Sequence, residues 1–300
     1  MKSSNPVMAR LPQSAQQAGF GQPQGGHGYN PQGGSYGYDQ QGGYQDPYGA
    51  SQNPYGQAGY AQDPYAGATG ERPITVDDIV TKTGITLAVI VAFALINFGI
   101  GIAVDPSISM ILTFVGAIGG LITVLIHSFG GKYGSAAVTL IYAAFEGLFV
   151  GGFSMAVSGW MLGNADAGTL VFQAVLGTVG VFAGMLFVYK VGAIRVTPKF
   201  TRILTGCIIG VAVLAVGNLL MFIFTGMSPL RDGGPLAIGF SLVCIVLASL
   251  SFLVDFDTAD KLVRMGAPAK MAWGVALGLA VTLVWLYTEI LRLLSILSRD

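Results

Sequence analysis

Acidic side chains set within long apolar runs are the residues of this 300-residue chain best placed to do chemistry. The densest group is Asp255-Phe256-Asp257-Thr258-Ala259-Asp260. On a helix Asp255 and Asp257 point roughly 160° apart, so they cannot share a face. Asp257 and Asp260, spaced i,i+3, do share one. At least one of Asp255 and Asp257 should therefore face the interior of a helical bundle or a water-filled vestibule. Asp260 reads as an interfacial carboxylate solvated or paired with Lys261 or Arg264. Glu146, in Tyr142-Ala143-Ala144-Phe145-Glu146-Gly147-Leu148-Phe149, is the second place. It is suited either to handling a proton or cation or to a helix-bridging hydrogen bond. Glu289 and Arg292 form the third, at a spacing that suits an interfacial ion pair with Arg292 snorkelling outward. An ionisable group at bilayer depth costs about 2.5–3.5 kcal/mol on insertion scales, so such groups are functional candidates by default.

The elements that must hold these acids are seven apolar stretches, at 82–104, 107–127, 135–158, 168–189, 202–225, 235–256 and 272–295. Each is long enough to cross a hydrocarbon core of roughly 30 Å as a helix. They lack the period-2 alternation of barrel strands, so the chain reads as an all-α integral membrane protein. Charged residues make up only 10% of it, against about 25% in soluble domains. The formal net charge is zero, which argues against nucleic acid as a partner. Glycines at 116, 119, 120, 147, 151 and 152 read as close-packing positions between helices. Cys207 and Cys244 fall inside spans and read as two small buried hydrophobes rather than a disulfide. Asn97, Gln173 and Asn218 read as interhelical hydrogen bonders.

Lysines and arginines collect on one set of connections. Arg72 and Lys82 stand at span 1, Lys132 between spans 2 and 3, and Lys190, Arg195, Lys199 and Arg202 between spans 4 and 5. Lys261, Arg264 and Lys270 stand between spans 6 and 7. The opposite loops hold Arg231, and Arg299 stands at the C-terminus. This bias places the N-terminus in the cytoplasm and the C-terminus outside. The start Met1–Gln13 has no apolar core of its own, so span 1 is expected to direct insertion.

Residues 1–73 differ from the membrane domain at 74–300: they are rich in Gly, Gln, Tyr and Pro and read as a disordered tail. Three units recur there, Asp46-Pro47-Tyr48-Gly49, Asn53-Pro54-Tyr55-Gly56 and Asp63-Pro64-Tyr65-Ala66. They suit either tyrosine-mediated contact with a membrane protein partner or a plain solvated tether. His27 and His127 make no metal-ligand spacing with a cysteine or with each other. Span 7 has no lysine for a retinal Schiff base, and no Ser-His-Asp, HExxH, GxGxxG or Walker pattern appears, so neither an enzyme nor a cofactor is expected.

Several segments together resemble the Bax inhibitor/YccA family, in particular its actinobacterial branch with a low-complexity N-terminal tail. They are Met1-Lys2-Ser3-Ser4-Asn5-Pro6-Val7, Phe145-Glu146-Gly147, Leu253-Val254-Asp255-Phe256-Asp257, Met271-Ala272-Trp273 and, most specific, the run from Val281 through Leu286-Tyr287-Thr288-Glu289 to Leu294. The resemblance implies six helices around a central seventh, in a bacterial cell membrane. It also implies a pH-sensitive calcium or cation leak, gated by a pair of aspartates on spans 6 and 7. Phe256-Asp257-Thr258 matches the pattern of the span-6 aspartate. For the span-7 partner, Glu289 matches the local pattern while Thr282 matches the depth. Two nearby carboxylates would titrate as a coupled unit, whereas one beside a threonine would not. Asp257 could otherwise act alone or with Asp255, and Glu146 could supply a second carboxylate if spans 3 and 6 were adjacent. The competing expectation is a regulator that binds a membrane protease or envelope machinery through protein contacts.

Overall fold

The computed structural model describes residues 72–130, 133–157 and 167–298. The tail with its three tyrosine units, Met1–Val7, His27, Lys132 and Arg299 lie outside the described residues. Among the described residues seven helices are long and apolar enough to cross a membrane. They are α1 (Val76–Ala103), α2 (Pro106–Phe129), α3 (Ala136–Met155), α4 (Ala167–Lys190), α5 (Pro198–Thr225), α6 (Pro235–Arg264) and α7 (Ala272–Leu297). A 3-10 turn, Ala269–Met271, leads into α7.

Short polar signals set where these helices begin. Thr75 caps α1, and Asp78 closes a capping box back onto it, so the helix starts six residues before its expected apolar run. Asp105 caps α2 by accepting from the Ser107 amide at 2.7 Å, which holds its carboxyl below the usual range. Thr197 caps α5, and prolines open α2, α5 and α6, where a missing N–H costs nothing. Helix α6 runs eight residues past the expected end at 256. Its last turns carry the pairs Asp257–Lys261 and Asp260–Arg264, both i,i+4, which support a polar helical extension beyond the apolar run.

Helix α7 is the most buried of the seven and α5 the least. Helices α1, α3, α4 and α6 pack directly on α7, while α2 packs chiefly on α3 and α5 on α6. Val275, Ala276, Leu277, Ala280, Leu286 and Leu291 of α7 are fully enclosed. Around the α4–α6 contact, Phe182 meets Phe252 and Phe256 edge-on at 5.3 and 5.5 Å.

Lipid gives helices no hydrophobic reason to associate, so close backbone approach and hydrogen bonds must supply it. The α1–α3–α2 row uses both. A Cβ on Gly147 would lie 2.5 Å from the Ile90 carbonyl oxygen, and one on Gly116 the same distance from that of Phe145. Asn97 ties all three helices, donating to the Leu148 carbonyl at 2.6 Å and to Thr113 Oγ1 at 3.1 Å.

Three polar or small residues depart from expectation. Asn218 does not bridge helices; its side chain holds the turn after α5 through Ser228 Oγ at 2.8 Å and the Leu230 amide at 3.1 Å. Gln173 is exposed on α4. Cys244 is buried as expected, but Cys207 is exposed, because α5 touches its neighbours along one side only. Both thiols are free.

A strap joins the two ends of the bundle's sequence. Ile74 N–H donates to the Ala267 carbonyl at 2.7 Å, and Ala269 N–H donates to that of Arg72 at 3.0 Å. Pro73 and Pro268 stand opposite each other as an antiparallel bridge. Lys82 adds a 2.6 Å bond to the Ala269 carbonyl and lies over the Trp273 ring.

Candidate functional site

The intramembrane acids are arranged around α7 at two levels. Asp255 of α6 and Thr282 of α7 meet at the first. Both helices leave the same turn in opposite directions, and each residue lies nine or ten positions along, about 14–15 Å from that end. Asp255 is fully buried and Thr282 nearly so. Thr282 Oγ1 donates to Asp255 Oδ2 at 2.8 Å and lies 3.3 Å from the Gly278 carbonyl one turn back.

Asp257 lies round the helix from Asp255, as the 160° separation requires, and the structure pairs it with Lys261, both side chains being partly buried. Asp260 pairs with Arg264 at 2.8 Å and accepts a long contact from the Tyr189 hydroxyl at 3.5 Å. The acid facing α7 is therefore Asp255. Thr282, not a second carboxylate, stands across from it.

Glu289 and Arg292 lie about 10 and 15 Å further along α7, so Glu289 is too far from Asp255 to share a proton with it. The expected outward snorkel of Arg292 is not what the structure shows. Arg292 lies sideways between α7 and α6, paired with Glu289 and donating through Nε and Nη2 to Ser241 Oγ at 3.1 and 2.9 Å. Its guanidinium also lies over the Phe240 ring, 5.7 Å from the centroid. A carboxylate one turn back and a hydroxyl on the facing helix offset the cost of keeping the charge inside. Ser241 was not singled out in the sequence, where one serine in an apolar span carries no signal of its own.

Glu146 sits ten residues into α3, about 15 Å deep. It is half-buried and lines a cleft of about 370 Å³ between α2, α3 and α7. It does not join Asp255, because α3 and α6 each pack on α7 without packing substantially on each other. Among the described residues no three His, Cys, Asp or Glu side chains gather into a metal-binding group.

The fold and these placements define a polytopic helical membrane protein with ionisable groups on and around its innermost helix. A model of the Bax inhibitor 1-like family matches residues 5–299, and the chain belongs to that family. No curated protein matches the chain.

Proposed function

We propose that this protein is a cation leak of the bacterial cell membrane, for calcium or a similar cation, whose opening is set by protonation of Asp255. The observation that carries the reading is the contact between a fully buried carboxylate on α6 and the Thr282 hydroxyl on α7. An ionised carboxylate only accepts hydrogen bonds, whereas a protonated one must also donate. Thr282 serves the first state, so adding a proton changes what the α6–α7 contact requires. The charges nearest along α6 are engaged elsewhere, Asp257 by Lys261 and Asp260 by Arg264 with Tyr189 of α4 beside it. Acids lining a path favour cations over anions. The positive-inside bias supports a cytoplasmic N-terminus, which puts the Asp255 level toward the cytoplasmic mouth. The reading is of a protein that moves an ion and transforms no substrate.

The test is calcium entry into liposomes holding the full chain, across a pH range of about 5.5–8, within the range over which buried carboxylates in proteins titrate. The wild type is expected to pass calcium in a pH-dependent manner, and Asp255→Asn to remove that dependence. Absence of flux at every pH would overturn the reading.

A further inference from the structure

The geometry points to a binding site for a lipophilic amine, a single ammonium on a hydrocarbon body, in the cleft between α2, α3 and α7. Helix α2 packs along α3 but stands off α7, and the cleft is the space this leaves. Its volume of about 370 Å³ lies within the roughly 300–1,000 Å³ of small-molecule sites. Glu146 is the ionisable acid in its lining. The carboxylate reaches across to α2 where the chain has a glycine: a Cβ on Gly120 would lie 3.0 Å from Glu146 Oε2. A larger residue there would crowd the acid out of the space it now occupies.

The rest of the wall selects the ligand. Tyr142, Phe149 and Trp285 bring three aromatic rings to the cleft, and ring faces attract ammonium groups. Leu121, Val124 and Val281 supply aliphatic surface for a chain. Leu121 lines the cleft and is also 62% exposed, so the cleft opens to the lipid-facing surface. A bare metal ion fits poorly, since calcium takes 6–8 oxygen ligands and this wall is mostly hydrocarbon. An anionic lipid headgroup has the wrong charge for Glu146. An amine in the bilayer brings its own apolar surface and needs one carboxylate, which the cleft provides.

The site is tested by binding alone, so the result is independent of calcium flux. The full chain in neutral phosphatidylcholine nanodiscs is labelled with dodecylamine carrying a photoactivatable diazirine, and with the matching dodecanol probe. Labelled peptides are located by mass spectrometry. The amine is expected to label the cleft segments of α2, α3 and α7 saturably, in competition with plain dodecylamine. Glu146→Gln should weaken this by about tenfold or more, as for loss of a charged hydrogen bond. Gly120→Val keeps Glu146 in the sequence but displaces its carboxylate, and should also weaken labelling; melting temperatures report whether each variant is folded. Trp285→Leu keeps the acid and the glycine, and should weaken the amine more than the alcohol. Equal labelling of wild type and folded Glu146→Gln would overturn the proposal. Equal labelling of the cleft by amine and alcohol would do so too, leaving an apolar gap filled by lipid.

Discussion

Thr282 Oγ1 of α7 donates to Asp255 Oδ2 of α6 at 2.8 Å, with both residues buried about a third of the way along their helices from the turn that joins them. Their contact joins the two helices of the innermost hairpin at one level and involves a single carboxylate. The pairing separates the roles of neighbouring aspartates, and it makes their substitution informative.

Asp255→Asn keeps the size and the acceptor oxygen facing Thr282 but removes the charge. It is expected to flatten the pH dependence of flux in liposomes. Asp257→Asn loses a partly buried pair with Lys261, away from the Asp255–Thr282 contact, and should leave that dependence in place. The reverse ranking would move the sensor to Asp257.

Thr282→Asp places a second carboxylate opposite the first. Two such groups titrate as a coupled unit. The flux–pH curve of this variant should differ in steepness from that of the wild type, whereas Thr282→Val should remove the hydroxyl contact without adding a titrating group. Superimposable curves for Thr282→Asp and Thr282→Val would contradict the placement.

The buried pair of Glu289 and Arg292 should respond asymmetrically. Removing one partner, as in Glu289→Gln or Arg292→Met, leaves a buried charge and should cost about 3–5 kcal/mol. The double substitution to apolar residues should recover much of that loss. Thermal denaturation in detergent, read as a double-mutant cycle, checks this.

Two glycines offer a matched comparison of packing. Gly147→Ala drives a methyl to 2.5 Å from the Ile90 carbonyl and 2.7 Å from Phe93 Cβ, and should destabilise by about 1–3 kcal/mol. Gly210→Ala on α5 meets nothing within 4 Å and should be neutral or stabilising by about 0.5–1 kcal/mol. Melting temperatures of the two variants decide it.

The hairpin and its helices were legible because a span of about twenty apolar residues is a local signal. Helical periodicity also required Asp255 and Asp257 to diverge, but the inward one depends on where α7 packs. A local hint existed: Asp257 has Lys261 at i+4, while Asp255 has Ala259 there. Ser241 lies 51 positions from Arg292, and nothing local connects them. Cys207 misled because an outer membrane helix is apolar on every side, so composition does not tell lipid from protein. The small-residue pattern in α2 indicated close packing between helices, and the structure places α3 against Gly116 and Gly119. The open space beside Gly120 is tertiary, set by where α7 stands.

The strap from residues 72–75 to 267–269 has a consequence for the order in which the chain can be assembled. A nascent chain leaves the ribosome N-terminus first. Helices α1, α2 and α3 can meet early, since their glycine contacts are close in sequence. The anchor for Arg72 and Ile74 is made almost last, after α6 has been synthesised. Until then the segment leading into α1 has no edge to pair with, and Lys82 has neither the Ala269 carbonyl nor the Trp273 ring. Closure of the bundle at this end is thus a late event, and a chain truncated before Ala267 would carry an inserted first helix whose leading segment is still unfastened.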